Sequence, residues 1–225
     1  MLKMRLPEID ADDYEVPAVL AEDSPTATPQ HGTSVQAGWG AATSPEKKSG
    51  NYPTAFKFTP QTQVVAFLED APFAAYKQHW IERSAGKRSF VCLKPDSDCP
   101  LCAAPVSNVP NQKYDFNVVV LTDEEPEVKI LTTGTMFARD LMTANDDPVR
   151  GPLTKSFWAI ARHGTGNTTR FSLERVRPRD LAEEWQIDPE KFAPFIADAQ
   201  RYTLDSVYVS PYEELVKVAE SFQQG

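Results

Sequence analysis

The clearest pattern in the chain is an alternation. From Tyr114 to Leu121, Tyr114, Phe116, Val118 and Val120 fall on one side of an extended segment, and Asp115, Asn117, Val119 and Leu121 on the other. Side chains of a strand point to opposite faces in turn, so this period of two predicts a β-strand. Runs rich in β-branched and aromatic residues predict further strands within 54–58, 63–68, 128–131, 156–162 and 169–176, and 73–81 is a further candidate. Pro60 separates the first two, the acidic run 123–126 marks a turn, and the Gly-rich stretch 163–168 reads as the turn of a final hairpin. Phe137 and Leu141, four apart, predict a helix over 135–144 with Thr133 or Thr135 as its cap. Near the C-terminus Ser210 can cap, Pro211 suits the first helical position and Glu213 completes a capping box. Tyr212, Leu215, Ala219 and Phe222 would line one face of that helix. Between the two, 180–200 is acidic, with helical stretches that Pro189 and Pro194 break.

About five or six strands, mostly antiparallel, with one helix before the last hairpin, suit a small Greek-key barrel of the OB type. The expected class is therefore mainly β with a helical C-terminal region: an OB-fold-like barrel carrying a zinc-binding loop insertion at about 79–112. Residues 1–50 read as a disordered arm, acidic and rich in Pro, Thr and Ser, with Trp39 as an isolated aromatic in a solvated linker. Residues 51–179 form the expected core and 180–225 an acidic helical region. No run of eighteen apolar residues predicts a transmembrane helix, and the N-terminal stretch lacks the apolar segment of a signal peptide.

The densest chemistry lies at 79–102. All three cysteines fall within it, and with His79 they read H-x12-C-x6-C-x2-C, ending in Cys99-Pro100-Leu101-Cys102. Two residues between Cys99 and Cys102 let both thiolates face one tetrahedral site, and Cys92 and His79 return to it over longer intervals. Three thiolates and one imidazole make a closed, four-coordinate structural zinc site, with no open position for catalytic water. His163, Asp96 or Asp98 are alternatives to His79 as fourth ligand. A redox pair at Cys99 and Cys102 lacks a surrounding βαβ pattern, and a zinc deaminase would need H-x-E where Trp80 and Ile81 follow His79.

Charge is unevenly spread. The net value is −9, but residues 1–50 carry four basic and eight acidic groups, 51–179 sixteen and fourteen, and 180–225 three and ten. The middle is thus mildly basic and both ends are acidic, a distribution compatible with a polyanion partner. Basic and aromatic residues interleave in two places. One is Trp80, Arg83, Lys87, Arg88, Phe90 and Lys94; the other is Lys155, Phe157, Trp158, Arg162, His163, Arg170, Phe171, Arg175, Arg177 and Arg179. From 155 to 179, six Lys or Arg side chains face a single acid, Glu174. Such combinations bind single-stranded nucleic acid: cations follow phosphates and aromatic faces stack bases. Phe157 and Trp158 are consecutive and point to opposite faces, so at least one is expected outside the main core. No P-loop, nucleophile elbow or Gly-rich turn after a strand is present, and Glu69, Asp70 and Asp140 read as surface charge rather than a nuclease centre.

His79, Cys92, Cys99 and Cys102, in that order, flanked by aromatic and basic residues and followed by a β region, resemble the single-stranded-DNA-binding (helix-destabilising) proteins of T-even-type bacteriophages. The resemblance implies an OB-fold with a His/Cys3 zinc subdomain over about 54–179, and an acidic C-terminal region that recruits replication and recombination proteins. Here the interval between the first two cysteines is shorter, and the N-terminus is acidic where the family's is basic. The expected function is sequence-independent single-stranded-DNA binding in phage replication, recombination or repair, without enzymatic activity, in the cytoplasm of a bacterial host. Phosphate contacts are expected from Arg83, Lys87, Arg88, Arg162, Arg170, Arg175 and Arg177, and stacking from Trp80, Tyr114, Trp158 and Phe171. The alternative is a zinc-bearing protein-interaction or transcription-accessory module.

Overall fold

The computed structural model describes residues 53–81, 89–104, 109–123 and 125–221. The expected arm at 1–50, Arg83, Lys87, Arg88 and Phe222 therefore lie outside the described residues. Seven strands form one sheet: β1 Gln63–Phe67, β2 Ala74–Trp80, β3 Ser89–Val91, β4 Asn111–Val120, β5 Val128–Gly134, β6 Phe157–His163 and β7 Arg170–Val176. Every ladder is antiparallel. The order is β3-β2-β4-β1-β6-β7, with β5 pairing the other edge of β4. β4 is long enough to serve three partners: β2 along its first half, β1 along its last residues and β5 along most of its length. The sheet is open, since no ladder joins β5 to β7. Instead the segment around residues 54–59 crosses from one to the other side. It hydrogen-bonds Ile130 of β5 through Thr54 and Phe56, and Thr59 accepts from the Arg162 amide of β6.

Both faces of the sheet are apolar. On one face Val65, Phe67, Phe116, Val118, Val120, Leu131, Trp158 and Ile160 pack against Phe137 and Leu141 of helix α2 (Thr135–Asp146), the helix that the 137/141 spacing predicts. On the other, Val64, Leu68, Val119, Leu121, Val128, Ala159 and Val176 are covered by Leu181 of α3 (Pro178–Glu183) and Phe192 of α4 (Pro189–Asp198). The continuous apolar run Val118-Val119-Val120 is the mark of a strand buried on both sides. Phe157 and Trp158 divide between the two faces as expected, with only Trp158 in the larger core. Each meets a core, Trp158 the first and Phe157 the second.

Pro189 opens α4 rather than breaking it. A proline at the first helical position loses no helical hydrogen bond, and the Asp188 carboxylate accepts from the Glu190 amide at 2.9 Å. The last helix, α5, spans Tyr212–Glu220, one residue later than the capping box implies. Pro211 holds the cap position without a side-chain bond, and Ser210 before it is buried. Leu215, Val218 and Ala219 form its buried face, while Tyr212 is half exposed.

Between α4 and α5 the chain crosses the outer face of the sheet as an extended strap. One buried side chain fastens it. Asn117 of β4 accepts from the Tyr202 amide (2.9 Å) and donates to the Tyr202 carbonyl (3.0 Å), so its amide mimics a strand partner. It also donates to Glu69 Oε1 at 2.8 Å, and Tyr202 Oη accepts from the Thr54 amide at 3.3 Å. Residues 51–225 accordingly form one compact unit in which the C-terminal region is integral. Replacing Asn117 by Ala strands two backbone groups of Tyr202 and should cost about 2–3 kcal/mol, the usual penalty for orphaned buried polar groups. Urea unfolding of Asn117→Ala against the parent would measure it; an unchanged midpoint would mean the strap is not fastened there.

Candidate metal centre and the sheet face beside it

His79, near the end of β2, is fully buried. Its β3 neighbour across the ladder is Phe90, which places Cys92 just past the end of β3, where its amide donates to the Lys77 carbonyl at 2.8 Å. The chain then turns, and Cys99 precedes a single helical turn, α1 (Pro100–Ala103), that carries Cys102. Pro100 sets this turn, and the Cys102 amide donates back to the Cys99 carbonyl at 3.0 Å. Two strands and one knuckle therefore converge on a point.

The four ligand atoms lie within 4.8 Å of one another. His79 Nε2 is 3.6 Å from Cys99 Sγ and 3.5 Å from Cys102 Sγ, and the Cys92 and Cys102 sulfurs are 3.5 Å apart. Metal–sulfur bonds of about 2.3 Å and metal–nitrogen bonds of about 2.0–2.1 Å at tetrahedral angles require S···N separations of about 3.6 Å and S···S of about 3.8 Å. The cluster is thus already arranged around the space of one tetrahedral ion. All three thiols are free, far from disulfide distance. Electrostatics points the same way. At Cys99 burial opposes ionisation, but the surrounding backbone amides of Leu93, Cys102 and Leu101 hold the thiol below its ordinary value. At Cys102 burial and the neighbouring Cys92 and Cys99 push it up to about 12. Several thiolates can coexist here only with a cation between them. The site can hold a metal ion, and its donor set is compatible with a structural zinc.

The alternatives for the fourth ligand lie elsewhere. His163 is exposed and hydrogen-bonds Ser172 Oγ at 3.0 Å, and Asp96 and Asp98 are exposed outside the cluster. Around the four ligands, Ile81, Phe90 and Leu101 pack against Leu215, Val218 and Ala219 of α5. The knuckle is therefore also the seat of the last helix.

The residues expected to contact nucleic acid divide sharply. Trp158 is 2% exposed, with its indole donating to the Leu153 carbonyl at 2.8 Å, so it offers no face for stacking. Phe171 packs between Phe58 and Phe137, with ring centroids at 4.4 and 5.4 Å. Tyr114 is half-buried against the first core. Antiparallel pairing explains this: Trp158 opposes Arg175 and Arg162 opposes Phe171, so all four share the inner face. Arg175 is spent internally, donating to Ser156 Oγ at 2.7 Å and the Val149 carbonyl at 3.3 Å. Arg177 grips Asp180 through two bonds of 2.6 and 3.1 Å. Arg170 is exposed at the start of β7, and Arg162 is half-buried with its Nε unpartnered. Glu69, Asp70 and Asp140 form no metal cluster among the described residues; Glu69 holds Asn117 and Asp70 caps Thr154.

Trp80 is different. It is 52% exposed, and it shares the outer face with Tyr76 and Gln78 of β2 and, across the ladder, with Asn111, Lys113 and Asp115 of β4. Asp115 is only 3% exposed. Burial raises its pKa against the pull of hydrogen bonds from Thr132 and Tyr76, and burial together with the Asp115 charge raises that of Tyr76. A carboxyl whose folded value is raised weakens the fold once it ionises: the penalty is absent below the unfolded value and complete above the folded one. The signal for this face was present in the sequence, as polar Lys113, Asp115 and Asn117 recur at period two along the most apolar strand.

Comparison with protein-family models, curated proteins and solved structures finds no match to this chain. Elemental analysis of the purified protein should find one metal ion per chain. Cys99→Ser should abolish stoichiometric loading and lower the melting temperature, because it removes a ligand and unseats α5. Full loading of that variant would place the metal elsewhere.

Proposed function

We propose that this protein binds single-stranded DNA, largely irrespective of sequence, on an OB-type framework braced by one structural zinc ion, and that it serves phage DNA replication, recombination or repair. The observation that carries the reading is the connectivity. β1 lies between β4 and β6, β4 and β5 form one hairpin, β6 and β7 another, and the helix α2 falls between them. That order supports an OB-type reading of the open sheet, and the segment at 54–59 hydrogen-bonds both β5 and β6.

Within this framework the strand would lie on the outer face of β2 and β4. Trp80 gives a half-exposed ring on the same face as Lys113, which forms no ion pair among the described residues. Arg170 adds an exposed cation at the tip of the last hairpin. The metal, bound by His79, Cys92, Cys99 and Cys102, would supply no chemistry beyond cross-linking the β2 end to the knuckle; His79 and Trp80 are adjacent, so the brace fixes the ring's position.

One observation favours the interaction-module reading. Tyr208, Val209 and Tyr212 are each about half exposed or more on an acidic layer carrying Asp205, Glu213 and Glu214. Fluorescence anisotropy of the full chain on labelled single-stranded and duplex oligonucleotides separates the two. Single strands should bind far more tightly than duplex. With about four phosphates neutralised, affinity should fall roughly fifty-fold between 50 and 200 mM salt. No binding at low salt would overturn the reading in favour of protein partners. Deleting 180–225 is a poor control, since it uncovers Val64, Leu68 and Val119.

A further inference from the structure

We propose that the cavity over Asp115 is a nucleobase-edge site, taking the exocyclic amine of a base, cytosine foremost, from a strand lying on the outer face; this rests on the single-stranded-DNA reading above. The cavity measures about 220 Å³ and lies between the sheet and residues 206–208 of the strap. Tyr76, Gln78 and Thr132 line it beside Asp115. The carboxylate takes hydrogen bonds from Tyr76 and Thr132, yet its Oδ1 is buried and has no partner at all. An acceptor left this way is costly unless a donor reaches it.

Among the described residues no Lys or Arg lines the cavity. Its surroundings select the donor's chemistry. Lys113 stands two residues from Asp115 on the same face of β4, placed to take a phosphate. Trp80, on the same face of β2, opposes Ser89 at the cavity's margin, placed to stack a neighbouring base. Tyr208, 60% exposed, forms the rim. An extended anionic chain bearing flat groups with amine edges satisfies all three. The amine of cytosine is the donor a carboxylate reads, whereas thymine carries a carbonyl at that position. The site gives a compositional bias superposed on otherwise sequence-tolerant binding.

The test is competition between oligo-dC, oligo-dT and an oligonucleotide of N4,N4-dimethylcytosine, all of equal length, on the full-length protein. Wild type should prefer dC to dT, and dimethylation should cost about tenfold, as expected for one charge-assisted hydrogen bond. Asp115→Asn should lower dC affinity by about as much, leave dT within about twofold, and melt no lower than wild type, since burial of the charge is relieved. Lys113→Ala should instead weaken all three ligands alike and flatten the salt slope by about one unit. If dC, dT and the dimethylated strand bind equally, or if Asp115→Asn shifts dC and dT together, Oδ1 serves water or packing only and the inference fails while DNA binding stands. If no strand binds wild type, the functional reading itself has failed.

Discussion

Strands β1 and β4 carry large apolar side chains on both faces, and this constraint organises residues 51–225. Neither face can be left to water, so the sheet needs two covers. The helix α2 supplies one from within the β region. The other has to come from the acidic C-terminal residues, which fold back as α3 and α4 to bury Val64, Leu68 and Val119. The same demand explains why the strap is bolted to Asn117: a polar residue in the second-face row of β4 faces a backbone that pairs with it.

The cluster of His79, Cys92, Cys99 and Cys102 solves a different problem. The stretch from Trp80 to Asn111 is too short and too polar to build a core alone, and its apolar residues reduce to a few, chiefly Ile81, Phe90 and Leu101. Three thiols and an imidazole drawn to one point replace that core, and α5 then docks on the result. A small apolar cluster and a cation site thereby share their supports: Cys92 and Cys99 belong to both. Charge follows the same division of labour. Arg175, Arg177 and Arg179 are held by neighbouring oxygens, whereas Arg170 at the hairpin tip is exposed.

Much of this was legible in the residues. The period of β4, the 137/141 helix, the Gly-rich turn with Gly164 at φ 72°, and the four ligands follow from local spacing, and local spacing survives folding. What was not legible depends on partners distant in sequence. Period two states that Phe157 and Trp158 face opposite ways; it does not state that both faces are covered. Six cations against one acid suggest a binding surface, but the Ser156 hydroxyl, the Val149 carbonyl and Asp180 decide where Arg175 and Arg177 point. Asp115 reads as the solvent side of a strand until the strap is laid over it.

The location of the second cover has a consequence for biosynthesis. A ribosome delivers β1 more than a hundred residues before Leu181 and Phe192. During that interval the outer row of Val64, Leu68, Val119 and Leu121 lacks the helical cover that Leu181 and Phe192 supply. The growing polypeptide is thus a client for chaperones until its last fifth emerges, and a nonsense codon between β4 and residue 192 yields a sticky fragment rather than a shorter working protein.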